Sequence, residues 1–135
     1  MVETIVQELL NAAKLLSEKC TRQIPTLLKH KDVAHVTNPL DYAWELHEQF
    51  IRKWGGCGAK TLLLGMNPGP YGMAQTGVPF GATKMATDVL GIEAVELKTP
   101  SGAHPKRPVQ GLSMERQEVS GTRFWTFMVD HFGSS

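Results

Sequence analysis

Apolar residues recur at helical spacing at both ends of the chain and condense into one short apolar run near its middle. Ile5, Leu9, Ala12 and Leu16 share a face that Val2, Leu10 and Ala13 widen, with Glu3 and Glu8 early and Lys14 and Lys19 late. That period, with acids near the start and lysines near the end of the dipole, predicts an amphipathic packing helix over residues 3–19. Pro25 is expected to bar any helix beyond it. Asn38-Pro39 reads as an N-cap followed by the first helical residue, with Asp41 in the first turn. Leu40, Ala43, Trp44, His47, Phe50, Ile51 and Trp54 then keep helical period until Gly55-Gly56 closes the element. His47 falls on the apolar stripe, where a hydrogen-bonded core histidine is expected rather than a ligand.

The middle run, Leu62-Leu63-Leu64, reads as a strand buried on both faces. It empties into a loop with glycine at 65, 69, 72, 77 and 81 and proline at 68, 70 and 79. Residues 82–90 predict a short helix ended by Gly91, and residues 92–117 a long connection containing His104-Pro105-Lys106-Arg107-Pro108. Ser120 reads as the N-cap of a last helix, Gly121 to Phe132. A doubly buried strand must pair its backbone with neighbours. The only other candidates, Val33 to Thr37 and Pro108 to Leu112, are short and interrupted. The pattern therefore predicts an α/β chain that is the first part of a larger domain and folds poorly alone.

Composition adds little. In 135 residues, 14 Lys and Arg balance 13 Asp and Glu, which gives no strong case for nucleic acid and none against a local basic patch. Cys20 and Cys57 read as reduced thiols, no His or Cys spacing is of metal type, and no run approaches a membrane span. These features point to the cytosol or nucleus.

The central loop offers its chemistry in a few side chains. Neither G-x-G-x-x-G nor G-x-x-x-x-G-K-[ST] is present, and two prolines remove amide donors, so a nucleotide cofactor is not expected. The loop holds no carboxylate and no Ser–His or Cys–His pair, hence no covalent nucleophile or strong general base. Asn67 can position a water, Phe80 can stack on a planar group, and backbone N–H groups from Gly72 to Thr76 can face a developing anion. That set suits cleavage of a bond to a leaving heterocycle. Equally, Asn67 can simply close the turn and Phe80 can belong to the core.

GMNPGPYGMAQTGVPFG, Gly65 to Gly81, resembles the first active-site motif of the single-strand-selective monofunctional uracil-DNA glycosylases, a branch of the uracil-DNA glycosylase superfamily. Asn38-Pro39 through Tyr42-Ala43-Trp44, His104 through Val109, and Val119-Ser120-Gly121 through Phe124-Trp125 resemble flanking segments of the same family, so the likeness runs from about residue 38 to 133. It implies a three-layer fold with a central parallel sheet, incomplete in this chain. Residues 1–37 would be an N-terminal helix and connecting segment, and 38–135 the first half of the glycosylase domain. By the same resemblance Asn67 positions the water that attacks C1′ and Phe80 stacks on the flipped base. Gly69 leaves room at C5, Met73 walls the pocket, and Lys106 and Arg107 contact phosphates. Tyr71 stands where the family can have phenylalanine. The family's later asparagine and His-Pro-Ser segment have no counterpart here, so this chain alone is expected to be inactive. The implied partner is DNA containing uracil or oxidised pyrimidines. The implied setting is a nuclear monomer with no cofactor and no metal. A non-catalytic form with residual DNA or protein binding and a functionless pseudo-domain are the alternatives.

Overall fold

The computed structural model describes residues 1–133 and is built from helices. Helix α1 spans Val2–Leu27, α2 Pro39–Tyr42, α3 Trp44–Trp54, α4 Met73–Thr76, α5 Thr83–Asp88 and α6 Val119–Phe132, with a 3₁₀ turn at Gly111–Ser113. The expected α/β sheet is absent: no strand occurs among the described residues. Leu62 and Leu64 are 86% and 89% exposed, so the run that reads as a doubly buried strand lies uncovered. The physical reason is the shortage of partners. Val33 to Thr37 forms no ladder and Pro108 to Leu112 runs into the 3₁₀ turn, so nothing among the described residues pairs the backbone of Thr61–Leu64.

The helices follow the apolar periods with two departures. Helix α1 passes through Pro25 and ends two residues later; Pro25 has no N–H to give the carbonyl four residues back and stands in the last turn. The second helix breaks at Ala43, whose φ of −113° and ψ of 29° separate α2 from α3. Just there the 74–77 segment presses in: Tyr42 Oη donates to Ala74 O at 2.5 Å, and a Cβ on Gly77 would lie 2.9 Å from Ala43 O.

Helix α1 packs on α2 and α3 but buries only Leu10; Ile5, Leu9 and Leu16 on the same stripe remain 41–53% exposed. Its firmest attachment is polar. Asn38 Oδ1 caps α2 by accepting from Leu40 N–H at 3.1 Å, while Nδ2 donates to Ser17 O, Ser17 Oγ and Thr21 Oγ1 at 2.9–3.1 Å. Asn38→Ala removes the cap and the α1 tether together and is expected to cost about 1–2 kcal/mol. A urea melt of the variant checks this; a midpoint unchanged from the parent would mean α1 is held by its apolar face alone.

The core lies on the other side of α3. Leu46, Val78, Ala86, Leu90 and Ile92 are buried together, with Phe50, Trp54, Leu97, Leu112 and Trp125 packed against them. His47 joins it as expected, donating from Nδ1 to Gly77 O at 2.7 Å. Burial pushes its pKa down against the upward pull of that bond. Gln75 pins the long connection: its Nε2 donates to Pro70 O at 3.1 Å and its Oε1 accepts from Gln110 N–H at 2.7 Å. No helix among the described residues is long and apolar enough to cross a membrane.

Candidate active site

The loop after Leu64 folds back on itself around α4. Gly69 O accepts from Gly72 and Ala74 N–H at 3.2 and 3.0 Å, and Gly72 O accepts from Gln75 and Thr76 N–H at 2.9 and 3.0 Å. Four of the five amides expected to face an anion are therefore spent inside the loop, and only Met73 N–H keeps no backbone partner. A cradle of several amides is not what this turn provides.

Four of the sequence-predicted residues do converge. Asn67, Gly69, Met73 and Phe80 line one cavity of about 670 Å³, with Leu63, Leu64, Glu118 and Ser120 among the other walls. Asn67 is exposed and its Nδ2 donates to Pro68 O at 3.2 Å. That bond fixes the amide and leaves Oδ1 with no protein donor among the described residues, as an acceptor for water.

Phe80 adopts a φ of +51°, the left-handed region, which costs a bulky residue of order 1–3 kcal/mol. Helix α6 holds it there. The Phe124 ring stacks on it with centroids 4.4 Å apart and planes 21° from parallel, and Trp125 Nε1 donates to Phe80 O at 3.0 Å. Gly121 permits the approach, since a Cβ there would fall 2.4 Å from Phe80 O. One face of the half-buried ring is thus backed by Phe124, and a Cβ on Gly65 would lie 3.4 Å from the ring's Cζ.

Glu118 is the residue that sequence reasoning missed. A Cβ on Gly69 would fall 1.4 Å from Glu118 Oε1, and one on Gly72 would fall 2.0 Å from Oε2, so the carboxylate occupies the hollow these glycines leave. The loop itself has no carboxylate, but the site does, delivered across 49 residues of chain from the start of α6 (118 against 69). Its position just before Val119-Ser120-Gly121 was the available signal. The same placement corrects the expected N-cap: α6 begins at Val119 with Glu118, not Ser120, at the cap position and with no side-chain cap bond.

Desolvation raises the Glu118 pKa, partly offset by a hydrogen bond from Ser120. An acid whose folded pKa is raised binds more protons folded than unfolded, so its packing is most favourable below the unfolded value, about 4.3, and weakens as pH rises through the folded one. Glu118→Gln is therefore expected to match the parent in stability under acidic conditions and exceed it near neutral pH. Urea melts of both across that range test it, and a constant difference between them would remove the titration from the account.

Lys106 and Arg107 are exposed and lie outside this cavity, lining a second hollow with Tyr71; Pro70 borders both.

Compared with known proteins, the chain is a relative of the uracil-DNA glycosylases. More particularly, 95 of its residues are 52% identical to single-strand selective monofunctional uracil DNA glycosylase of Mus musculus, 50% to that of Bos taurus and 52% to that of Rattus norvegicus. This stretch is 70% of the chain and 34–35% of those proteins, and over it the chain belongs to their family. The chain thus spans about a third of the length of the curated relatives it matches. No family model matches it.

Proposed function

We propose that this chain carries part of the base-excision site of a monofunctional DNA glycosylase acting in base-excision repair on uracil and 5-substituted uracils, 5-hydroxymethyluracil among them, in single- and double-stranded DNA. The observation that carries the reading is the convergence of Asn67, Gly69, Met73 and Phe80 on one cavity. In this reading the flipped base lies on Phe80 with Met73 at its edge. Asn67 Oδ1 accepts from a water whose oxygen attacks C1′. The C1′–N1 bond breaks through an oxocarbenium-like sugar, its electron pair leaves on uracil N1, the water oxygen bonds C1′, and the proton the water sheds passes through solvent to the departing uracil anion. The Glu118 carboxylate fills the space above Gly69, so a 5-hydroxymethyl group at that edge meets it as a hydrogen-bond acceptor instead of open space. The setting that goes with this is a nuclear monomer acting without a cofactor, with Lys106 and Arg107 on DNA phosphates.

The groups that read the base edge and stabilise the leaving anion lie, in this reading, outside the 135 residues, so the chain alone is inactive. Loss of one such donor alone costs about 10²–10³ in rate. The test is release of uracil from a labelled single-stranded oligonucleotide by the chain alone and by a chimera joined to the remaining part of the Mus musculus relative. Excision by the chimera only is expected; an inactive chimera beside an active parent overturns the reading. A second reading, a non-catalytic form that keeps DNA or protein binding, is favoured by the exposure of Leu62, Leu64 and Met66, the last 97% exposed. DNA binding without excision by the folded chimera would select it.

A further inference from the structure

The hollow beside the candidate active site has more cationic character than its lining residues alone suggest. Its volume is about 510 Å³, and Lys106, Arg107 and His104 share its wall with Pro70, Tyr71 and Gln75. His104 shapes the turn that presents the two cations, accepting Lys106 N–H on Nδ1 at 3.1 Å and Arg107 N–H on its carbonyl at 2.9 Å. A third cation reaches the rim indirectly. Arg116 lies with Cζ 4.0 Å from the centre of the Tyr71 ring, and its Nη1 donates to Tyr71 Oη at 3.0 Å. The phenol, which a phenylalanine at position 71 would lack, therefore fixes this guanidinium against a wall of the hollow. The remaining donors of the guanidinium have no partner among the described residues.

No carboxylate among the described residues lies within ion-pair distance of these charges. The ion pairs among the described residues are Arg22–Glu18 and Arg52–Glu48, and neither involves Lys106, Arg107 or Arg116. Lys106 and Arg107 on the wall of the hollow, with Arg116 packed on its wall residue Tyr71, are three cations whose mutual repulsion an anion bound between them would relieve. Pro70 borders this hollow and the cavity of Asn67 and Phe80 alike, so a ligand lying across Pro70 touches both.

We propose that this hollow is a phosphodiester subsite for single-stranded DNA, in which Arg116, held by Tyr71, acts with Lys106 and Arg107 on the strand next to the nucleotide whose base enters the neighbouring cavity. This rests on the glycosylase reading and adds to it a third contact and the residue that positions it. Phosphate contacts carry no base information, so the subsite binds DNA without uracil equally well.

The test is fluorescence anisotropy of the 135-residue chain with a labelled single-stranded oligonucleotide lacking uracil, between about 50 and 200 mM salt. Each phosphate contact removed flattens the plot of log affinity against log salt by about 0.7. Arg116→Ala is expected to flatten it by about that amount, and the Lys106→Ala/Arg107→Ala pair by about twice as much. Tyr71→Phe keeps the charge but frees it, so it lowers affinity with little change in slope. Lys19→Ala on α1 changes neither. A slope unaltered by Arg116→Ala, or no salt-dependent binding at all, overturns the subsite. Full competition by inorganic phosphate at constant ionic strength overturns its assignment to a nucleic-acid strand. None of these outcomes depends on excision. An inactive chimera with normal salt-dependent binding sinks the glycosylase reading and leaves the subsite standing.

Discussion

Asn67→Ala in the chimera is expected to lower uracil release by about 10² or more, the scale of misplacing a reactant by an ångström. Stability should change little. Asn67 is exposed, and its one bond is a local donation to Pro68 O at 3.2 Å, so alanine there stays within about 0.5 kcal/mol of the parent. The argument turns on the free Oδ1. With Nδ2 donating to Pro68 O, the oxygen is left to accept a hydrogen bond from water. Asn67→Asp keeps that acceptor and is expected to retain more activity than alanine. The measurement is single-turnover release from single-stranded DNA, alongside DNA binding by anisotropy. If alanine excises within a few fold of the parent, Asn67 merely closes its turn, the alternative that residue types alone leave open.

Much of the helix content was legible because it depends on period and caps near in sequence. Asn38-Pro39 does start a helix, and His47 is the hydrogen-bonded core histidine that its place on the stripe predicts. The strand was not legible in the same way. Leu62-Leu63-Leu64 has strand composition, but a strand exists only through partners, and this segment has none among the described residues. The break at Ala43 is also tertiary in origin, set by Tyr42 bonding Ala74 O and by Gly77 lying against Ala43 across some 30 residues of chain. Local periodicity carries no sign of it.

The candidate site divides along the same line. Asn67, Gly69, Met73 and Phe80 lie within one motif, and the turn that joins them brings them to one cavity. What a motif cannot show is what lands on it from elsewhere. Glu118 fills the space above Gly69 and Gly72, and Phe124 and Trp125 brace Phe80 in a strained conformation, all from α6. Conversely, the five amides of Gly72 to Thr76 were available on paper, and four of them are consumed by the turn's own bonds. A loop's composition lists its donors; its closure decides which remain free.

Gly77→Ala is expected to destabilise the chain by about 2–5 kcal/mol, from two costs that add. Gly77 ends α4 at a φ of +67°, where a side chain costs roughly 1–2 kcal/mol. The site is also crowded by backbone that cannot swing aside: a Cβ would lie 2.9 Å from Ala43 O and 3.3 Å from Pro39 O. Overpacking of this kind typically costs about 1–3 kcal/mol. Against a total of about 5–15 kcal/mol for an ordinary domain, that is a large share. Relief by retreat would pull Gly77 O from His47 Nδ1 and lift Val78, which is fully buried, out of the core. Since Val78 leads directly into Pro79 and Phe80, the disturbance would reach the stacking platform of the candidate site. Gly58 supplies the control, with a φ of +68° and nothing within 4 Å of its Cβ position. Gly58→Ala should show the conformational cost alone, about 1–2 kcal/mol. Urea melts of the two variants separate the terms, because only the difference between them reports the contact with Ala43. Equal losses would mean that α4 has room to move away from α2, and that the loop carrying Asn67 is held from its α6 side only.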